Sequence, residues 1–572
     1  MNFSGPRFRQ VLPAAALLAC AAGLAAPAGA ARPGGAREPA PAARTQATPT
    51  RPSLPPLLPP AALLEPHATT AWPMYNGDYS GSRFSTLQRI NAGNVRRLVP
   101  VWIYQVSGGG FGAAQVMGGV DATPLMVNGV LYFTVPDHVF AVDARTGTLI
   151  WRFNWVNHGG LLIVGNRGVG MSGNRLYFMT PDNWLVCLNA RTGKEIWQKS
   201  IADPRLGYFS SGVPLVVGNH VIVNAGGDTL DLRAYLESRD TRTGALQWRW
   251  YVDPSAGQPG ADTWPDASAR LHGGGNPWVP ATYDPKLNLV YAATGNPNPV
   301  YAGQGRLGRD LYTGSLVAIN PDTGKLAWYF QGNPHDTHDW DQTEPPVLFD
   351  AKIHGHMRPL VAQASRDGYF FVLNRRTGKA YVSTPFIPLN WSLGVNQRGE
   401  PIPNPKVIPT TDGNLVSVTA GGATNWFPSS YDPQTGLFYV NCAEGYSIAY
   451  LQSTSKKASG FAGRAVTLKS QGMLKALSVK TGKMVWQHIY PDQWGEDSGI
   501  LTTAGHLLIT GDSAGNLIAY NPKNGKILWH YHLLSPVSNG PETFLLDGHQ
   551  YLVVGAGPYL YAFRVMPSSG LN

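Results

Sequence analysis

The chain has 572 residues, with 66 Gly, 47 Pro and 17 Trp, and only 14% of its residues are charged. Gly and Pro make about a fifth of it, well above the roughly 12% of average usage, and an aromatic content of 11% supplies a sizeable core. This excludes disorder over most of the length; one early apolar run excludes a membrane bundle; and a net charge of +10 without any basic block excludes nucleic acid as a partner.

Arg7 and Arg9 precede an Ala/Leu-rich run that ends in Ala28-Gly29-Ala30. The pattern predicts a secretory signal over residues 1–30, cleaved after Ala30. Leu17-Leu18-Ala19-Cys20 also fits a lipoprotein box, with a lipid anchor through Cys20, and an uncleaved anchor is the third alternative. Each exports the protein, to the periplasm or beyond. Residues 31–68 are Pro/Ala-rich without periodicity and read as a flexible spacer.

From Trp72 onward one frame recurs. Ala141-Val-Asp-Ala-Arg-Thr-Gly147 is followed by Trp151, Cys187-Leu-Asn-Ala-Arg-Thr-Gly193 by Trp197, and Ser238-Arg-Asp-Thr-Arg-Thr-Gly244 by Trp248. Gly324/Trp328, Gly482/Trp486 and Gly525/Trp529 repeat it; Val372-Leu-Asn-Arg-Arg-Thr-Gly378 lacks its Trp, and Trp102 lacks its turn. Each copy predicts a strand, a turn in which Gly takes positive φ and Asx or Thr caps, and a second strand. Repeats of this length built from short strands indicate a propeller, since β-helix repeats are much shorter. The expected fold is all-β, an eight-bladed β-propeller over residues 69–572. The longer gaps, 248 to 328 and 378 to 486, should carry the loops of the functional face. Beyond the signal, Cys187 and Cys442 lie in strand-like sequence and leave open either one disulfide or two buried thiols.

The Trp-bearing repeats, with Trp72-Pro-Met-Tyr-Asn-Gly-Asp78, Ser82-Arg-Phe-Ser85 and Ile90-Asn91, resemble the quinoprotein alcohol dehydrogenases, which use pyrroloquinoline quinone (PQQ). The resemblance covers residues 70 to 565 or so. It implies PQQ and one metal ion near the propeller axis. Arg167, in Asn166-Arg-Gly168, matches an Arg that bonds the quinone; Trp278, in Gly273-Gly-Gly-Asn-Pro-Trp278, matches the floor under its ring; Asn296, in Thr294-Gly-Asn-Pro297, matches a metal ligand. Arg366, in Ser365-Arg-Asp-Gly368, matches a cation on the quinone oxygens, and Asn425 and Trp494 stand in two more cofactor-contacting segments. In Pro334-His-Asp-Thr-His-Asp-Trp-Asp341 the resemblance gives Asp339 as catalytic base and metal ligand, and Asp341 as the extra carboxylate of the lanthanide-dependent branch. A trivalent ion calls for added negative charge and oxygen ligands, so a lanthanide is favoured, with Ca²⁺ as the alternative. His335 and His338 lack a third ligand at zinc spacing.

Several positions depart from the family pattern. Gly226-Gly227-Asp228 offers Asp where a metal-binding Glu is expected, and Asp121 replaces a second Glu near the quinone. Leu161 and Leu162 stand where an adjacent-cysteine disulfide covers the ring in many members; His338 replaces a Trp, and Ser211 a Thr. The resemblance thus implies oxidation of a small alcohol, hydride going to PQQ and electrons to a soluble cytochrome c or other periplasmic acceptor, because no Cys-x-x-Cys-His haem motif is present. A homodimer is compatible with the sequence. The alternatives are a cofactor-free propeller scaffold or binding protein, and a sugar or polyol dehydrogenase of the same fold.

Overall fold

A computed structural model describes residues 57–67, 69–106, 119–159, 165–227, 230–491 and 498–567. Among these residues, eight sheets of four or five strands follow one another, with one added ribbon, Ser392–Val395 beside Pro401–Pro403. The architecture is all-β and that of a β-propeller. A representative sheet runs Leu125–Val127, Val130–Val135, His138–Asp143 and Leu149–Asn154, each strand antiparallel to the one before. Its first strand is wholly buried, whereas the fourth alternates between exposed and half-buried positions. Consecutive short hairpins of Val, Leu, Phe and Tyr produce this arrangement, because each sheet has two apolar faces to cover.

The repeated Gly and Trp hold neighbouring sheets together. The ring of Trp151, on the outer strand of one sheet, lies against Gly193 in the turn of the next, where an added Cβ would sit 2.6 Å from the ring. Its indole N–H donates to the Ala190 carbonyl at 3.1 Å. Trp102 on Gly147, Trp197 on Gly244, Trp248 on Gly324, Trp328 on Gly378 and Trp486 on Gly525 repeat the contact. These glycines have φ between 68° and 71°, or 73° at Gly378, so both the turn and the neighbouring ring require glycine. In the copy without Trp, Val382 and Thr384 pack on Gly482, and the Thr384 hydroxyl donates to the Thr481 carbonyl at 3.1 Å.

The turnless copy has a topological cause. The last sheet consists of Glu542–Leu546, His549–Ala556 and Tyr559–Val565, and its outer strand is Leu98–Gln105 from near the start of the described chain. Leu98 pairs with Val565 and Trp102 with Ala562. The two strands come from distant parts of the chain, so no Thr-Gly turn joins them.

One expectation changes and one open alternative is settled. Folded structure begins well before residue 69: Leu58 bridges Gly173, the 3-10 helix Pro60–Leu64 follows, and Leu58 and Leu63 are buried. The spacer expected over 31–68 is shortened accordingly, its earlier part lying outside the described residues with the 1–30 signal, Cys20, Leu161 and Leu162. Cys187 and Cys442 are buried free thiols, not a disulfide. No helix among the described residues is long and apolar enough to cross a membrane.

Candidate active site

The long connections converge on one cavity. Trp278 comes from the segment before Thr282–Asp284, Asn296 from the loop after Leu289–Ala293, Arg366 from the turn after His356–Ala364, and Asn425 from the segment before Ser430–Asp432. Arg167, Phe209, Ser211, Asn276, Trp278, Asp339, Asp341, Arg366 and Asn425 line a space of about 210 Å³. Both long gaps in the repeat thus contribute, as expected. A larger cavity, about 370 Å³, lies elsewhere, between residues 63–82 and Tyr283, Phe349 and Tyr431, and contains none of the expected site residues.

Charge in the site is organised around Arg366. Its Nη1 lies 2.9 Å from Asp341 Oδ2 and its Nη2 3.6 Å from Asp339 Oδ2, while its Nε donates to the Gly421 carbonyl at 3.1 Å. Asp341 Oδ2 also accepts from the Trp278 indole N–H at 3.2 Å, and Oδ1 from the Asn296 backbone N–H at 2.7 Å. Burial works against the Arg366 charge, but Asp339 and Asp341 outweigh it and hold the guanidinium protonated. Burial pushes the Asp341 carboxyl up, opposed by Arg366 and the two N–H donors.

Arg167 forms a second centre. Its guanidinium carbon lies 4.6 Å from the Trp278 ring centre and 4.2 Å from that of Trp426, and its Nη1 donates to the Ser211 carbonyl at 2.9 Å. Burial lowers Arg167 to about 10, with Tyr75 and Asp121 opposing. Burial likewise raises Asp121 to about 6 against the pull of Arg167. Arg167 Nε, Ser211 Oγ and Asn276 Nδ2 are buried polar atoms with no hydrogen-bond partner among the described residues. Three polar atoms left in this way around one cavity mark a place for a polar ligand.

The structure therefore brings together Arg167, Ser211, Trp278, Asp339, Asp341, Arg366 and Asn425, with Asn296 bonded to Asp341. Gly226 stands one layer behind, where a Cβ would lie 2.4 Å from Asn276 Cγ, and Gly227 packs on Leu232. Asp228 and Trp494 lie outside the described residues. No group of three His, Cys, Asp or Glu suited to a metal occurs among the described residues; the carboxylates that line the cavity are Asp339 and Asp341. The sequence alone did not mark Phe209, Asn276 or Trp426 as site residues, although Asn276 sits inside the Gly273–Trp278 segment and Trp426 directly follows Asn425.

Comparison with known proteins bears on the family and the fold. Residues 72–385 match the family described as glucose/ethanol/alcohol dehydrogenase, β-propeller domain, and residues 312–565 match the outer membrane protein assembly factor BamB family. Quinoprotein alcohol dehydrogenase PedH of Pseudomonas putida is 35% identical over 83% of this chain and 84% of its own. A quinohemoprotein alcohol dehydrogenase of Comamonas testosteroni is 34% identical over 86% of this chain and 73% of its own. The crystal structure of the quinohemoprotein alcohol dehydrogenase from Comamonas testosteroni superimposes with a TM-score of 0.80 at 30% identity, covering 90% of this chain and 84% of that one. A europium-containing methanol dehydrogenase gives 0.78 at 26% identity, covering 86% and 98%. With the propeller domain of that family matched over residues 72–385, and relatives this similar over the greater part of the chain, the protein belongs to the PQQ-dependent, or quinoprotein, alcohol dehydrogenases.

Proposed function

We propose that this protein is an eight-bladed, periplasmic quinoprotein that oxidises a small alcohol to an aldehyde or ketone, with Asp339 as base. The observation that carries the reading is the single cavity in which Asp339 and Asp341 share Arg366 beside the Trp278 indole. When bound, PQQ supplies a two-electron acceptor for hydride and the metal supplies Lewis acidity at its carbonyl. The residues suit both groups. Arg167 Nε, Ser211 Oγ and Asn276 Nδ2 lack partners among the described residues and can donate to an acceptor-rich cofactor. Trp278 offers a wide apolar face to a flat ring. Asp339, Asp341 and Asn296 offer the oxygen ligands that a hard cation prefers, and the second carboxylate favours a lanthanide over Ca²⁺.

In this reading Asp339 accepts the alcohol's hydroxyl proton as the carbinol hydrogen departs. Arg366 keeps positive charge within 3.6 Å of that carboxylate. Asp121, Gly226, Gly227, Asn425, Trp494 and Asp228 complete the set of cofactor and metal contacts. Electrons leave for a soluble cytochrome c or another periplasmic acceptor, and the enzyme acts alone or as a homodimer. The match of residues 312–565 to an assembly-factor family supports a second reading, a cofactor-free scaffold.

One experiment separates them. The purified protein is dialysed against PQQ with Ca²⁺, with La³⁺ or with chelator, and retained quinone is measured. Metal-dependent retention near one per chain is expected, with La³⁺ the better metal; no retention under any condition removes the oxidation reading.

A further inference from the structure

We infer that Asp336 is a positioning residue that holds Asp339 in its working conformation. Asp339 has φ of 68°, in the left-handed region that residues with a side chain rarely adopt. Asp enters this region more readily than most residues with a side chain, and here specific bonds to the flanking backbone hold it there. The constraint comes from one carboxylate three residues upstream. Asp336 Oδ1 accepts from the His338 backbone N–H at 2.9 Å, and Oδ2 from the Trp340 backbone N–H at 2.9 Å. Asp336 is buried and spans Asp339 with both oxygens, tying down the chain on each side of it.

The neighbours reinforce this geometry. The rings of His338 and Trp340 stack with centres 4.3 Å apart and planes 13° from parallel. His338 Nε2–H donates to the Val407 carbonyl at 2.8 Å. With the flanking rings stacked on each other, Asp339 is left to line the cavity beside Arg366. The Asp336 carbonyl in turn accepts from Arg306, a fully buried cation paired with Asp310 at 2.6 Å. A carboxylate suits this role because it presents two acceptors to two N–H groups, whereas an amide presents one.

The inference rests on the reading of Asp339 as base, and the test separates the two. Parent, Asp336→Ala, Asp336→Asn and Asp339→Asn are loaded with PQQ and La³⁺. Bound quinone, kcat per bound quinone and KM are measured with the parent's best primary alcohol, ethanol first, together with the isotope effect of deuterium at the carbinol carbon. Asp336→Ala is expected to keep quinone near one per chain, to lower kcat per bound quinone roughly 100-fold with little change in KM, and to show an isotope effect at least as large as the parent's. Asp336→Asn, one acceptor short, falls between. If Asp336→Ala does not fold, Asp336→Asn decides. A kcat per bound quinone within twofold of the parent overturns the inference. So does an isotope effect that shrinks, because hydrogen transfer is then no longer the slow step. Full activity in Asp339→Asn removes the base itself, and the inference falls with it; an inactive Asp339→Asn beside a fully active Asp336 variant removes only the inference.

Discussion

Arg366 and Asp341 form an ion pair of 2.9 Å at the wall of the cavity, both side chains almost fully removed from solvent. Asp341 is thus not a solvated acid of a surface loop. Two N–H donors and a guanidinium hold it in place.

Asp341→Ala is expected to lower lanthanum-dependent activity by roughly tenfold or more and calcium-dependent activity much less. Reconstitution of both proteins with each metal, followed by rate measurement at saturating PQQ, checks this. Equal lanthanum-dependent rates would remove the role given to Asp341.

Trp278 contributes both a ring face and an N–H bond to Asp341. Trp278→Ala is expected to weaken quinone binding by roughly two- to tenfold from lost stacking alone. Trp278→Phe keeps an apolar face and loses the N–H, so its effect is smaller. Equilibrium dialysis of PQQ against the three proteins distinguishes these outcomes; identical affinities would place the ring elsewhere.

The contact between sheets predicts a stability difference. Gly193→Ala places a methyl 2.6 Å from Trp151 at φ of 68°. Gly173→Ala meets the same left-handed backbone, φ of 61°, but no atom within 4 Å. Gly173→Ala pays only for backbone strain, about 1 kcal/mol, whereas Gly193→Ala adds overpacking of roughly 1–3 kcal/mol. Denaturant midpoints for the two variants should differ in that order.

Glu344 gives a pH dependence. It is fully buried, and burial raises its carboxyl to about 8 while the Thr424 and Ser429 hydroxyls donate to it. Between the ordinary glutamate range and about pH 8, the unfolded chain has lost this proton and the folded chain still holds it. Stability therefore falls as pH rises through that window, by at most about 1.4 kcal/mol per pH unit from this group. Glu344→Gln removes the dependence. Unfolding midpoints at pH 5 and pH 8 should converge in the variant relative to the parent; an unchanged difference would mean that Glu344 does not hold its proton in the folded state.

The sequence carried the fold because its determinants are local. Each Thr-Gly turn and each Trp lies within one short frame, and the structure joins them across sheets in the order of the chain. Site residues were legible where a motif surrounds them, as for Trp278, Asp339 and Arg366. Phe209 was not legible, because it reaches the cavity through an isolated bridge with Gly226 and belongs to no repeated frame. The stack of Trp426 on Arg167 joins residues far apart in the chain, and spacing says nothing about such a contact. Leu58 and Leu63 were read as spacer because apolar residues among prolines show no period; packing on the first sheets and the backbone bridge of Leu58 to Gly173 order this stretch.

The last sheet also has a consequence in time. Leu98–Gln105 is synthesised long before Tyr559–Val565, with which it pairs. Until then the early strand has an unpaired edge, the kind of surface that recruits other chains. Contacts this distant in sequence are also the slow ones to form. The protein must therefore survive a long interval as an open array, and its most vulnerable moment comes before the final hairpin is made, when every other sheet can already be complete.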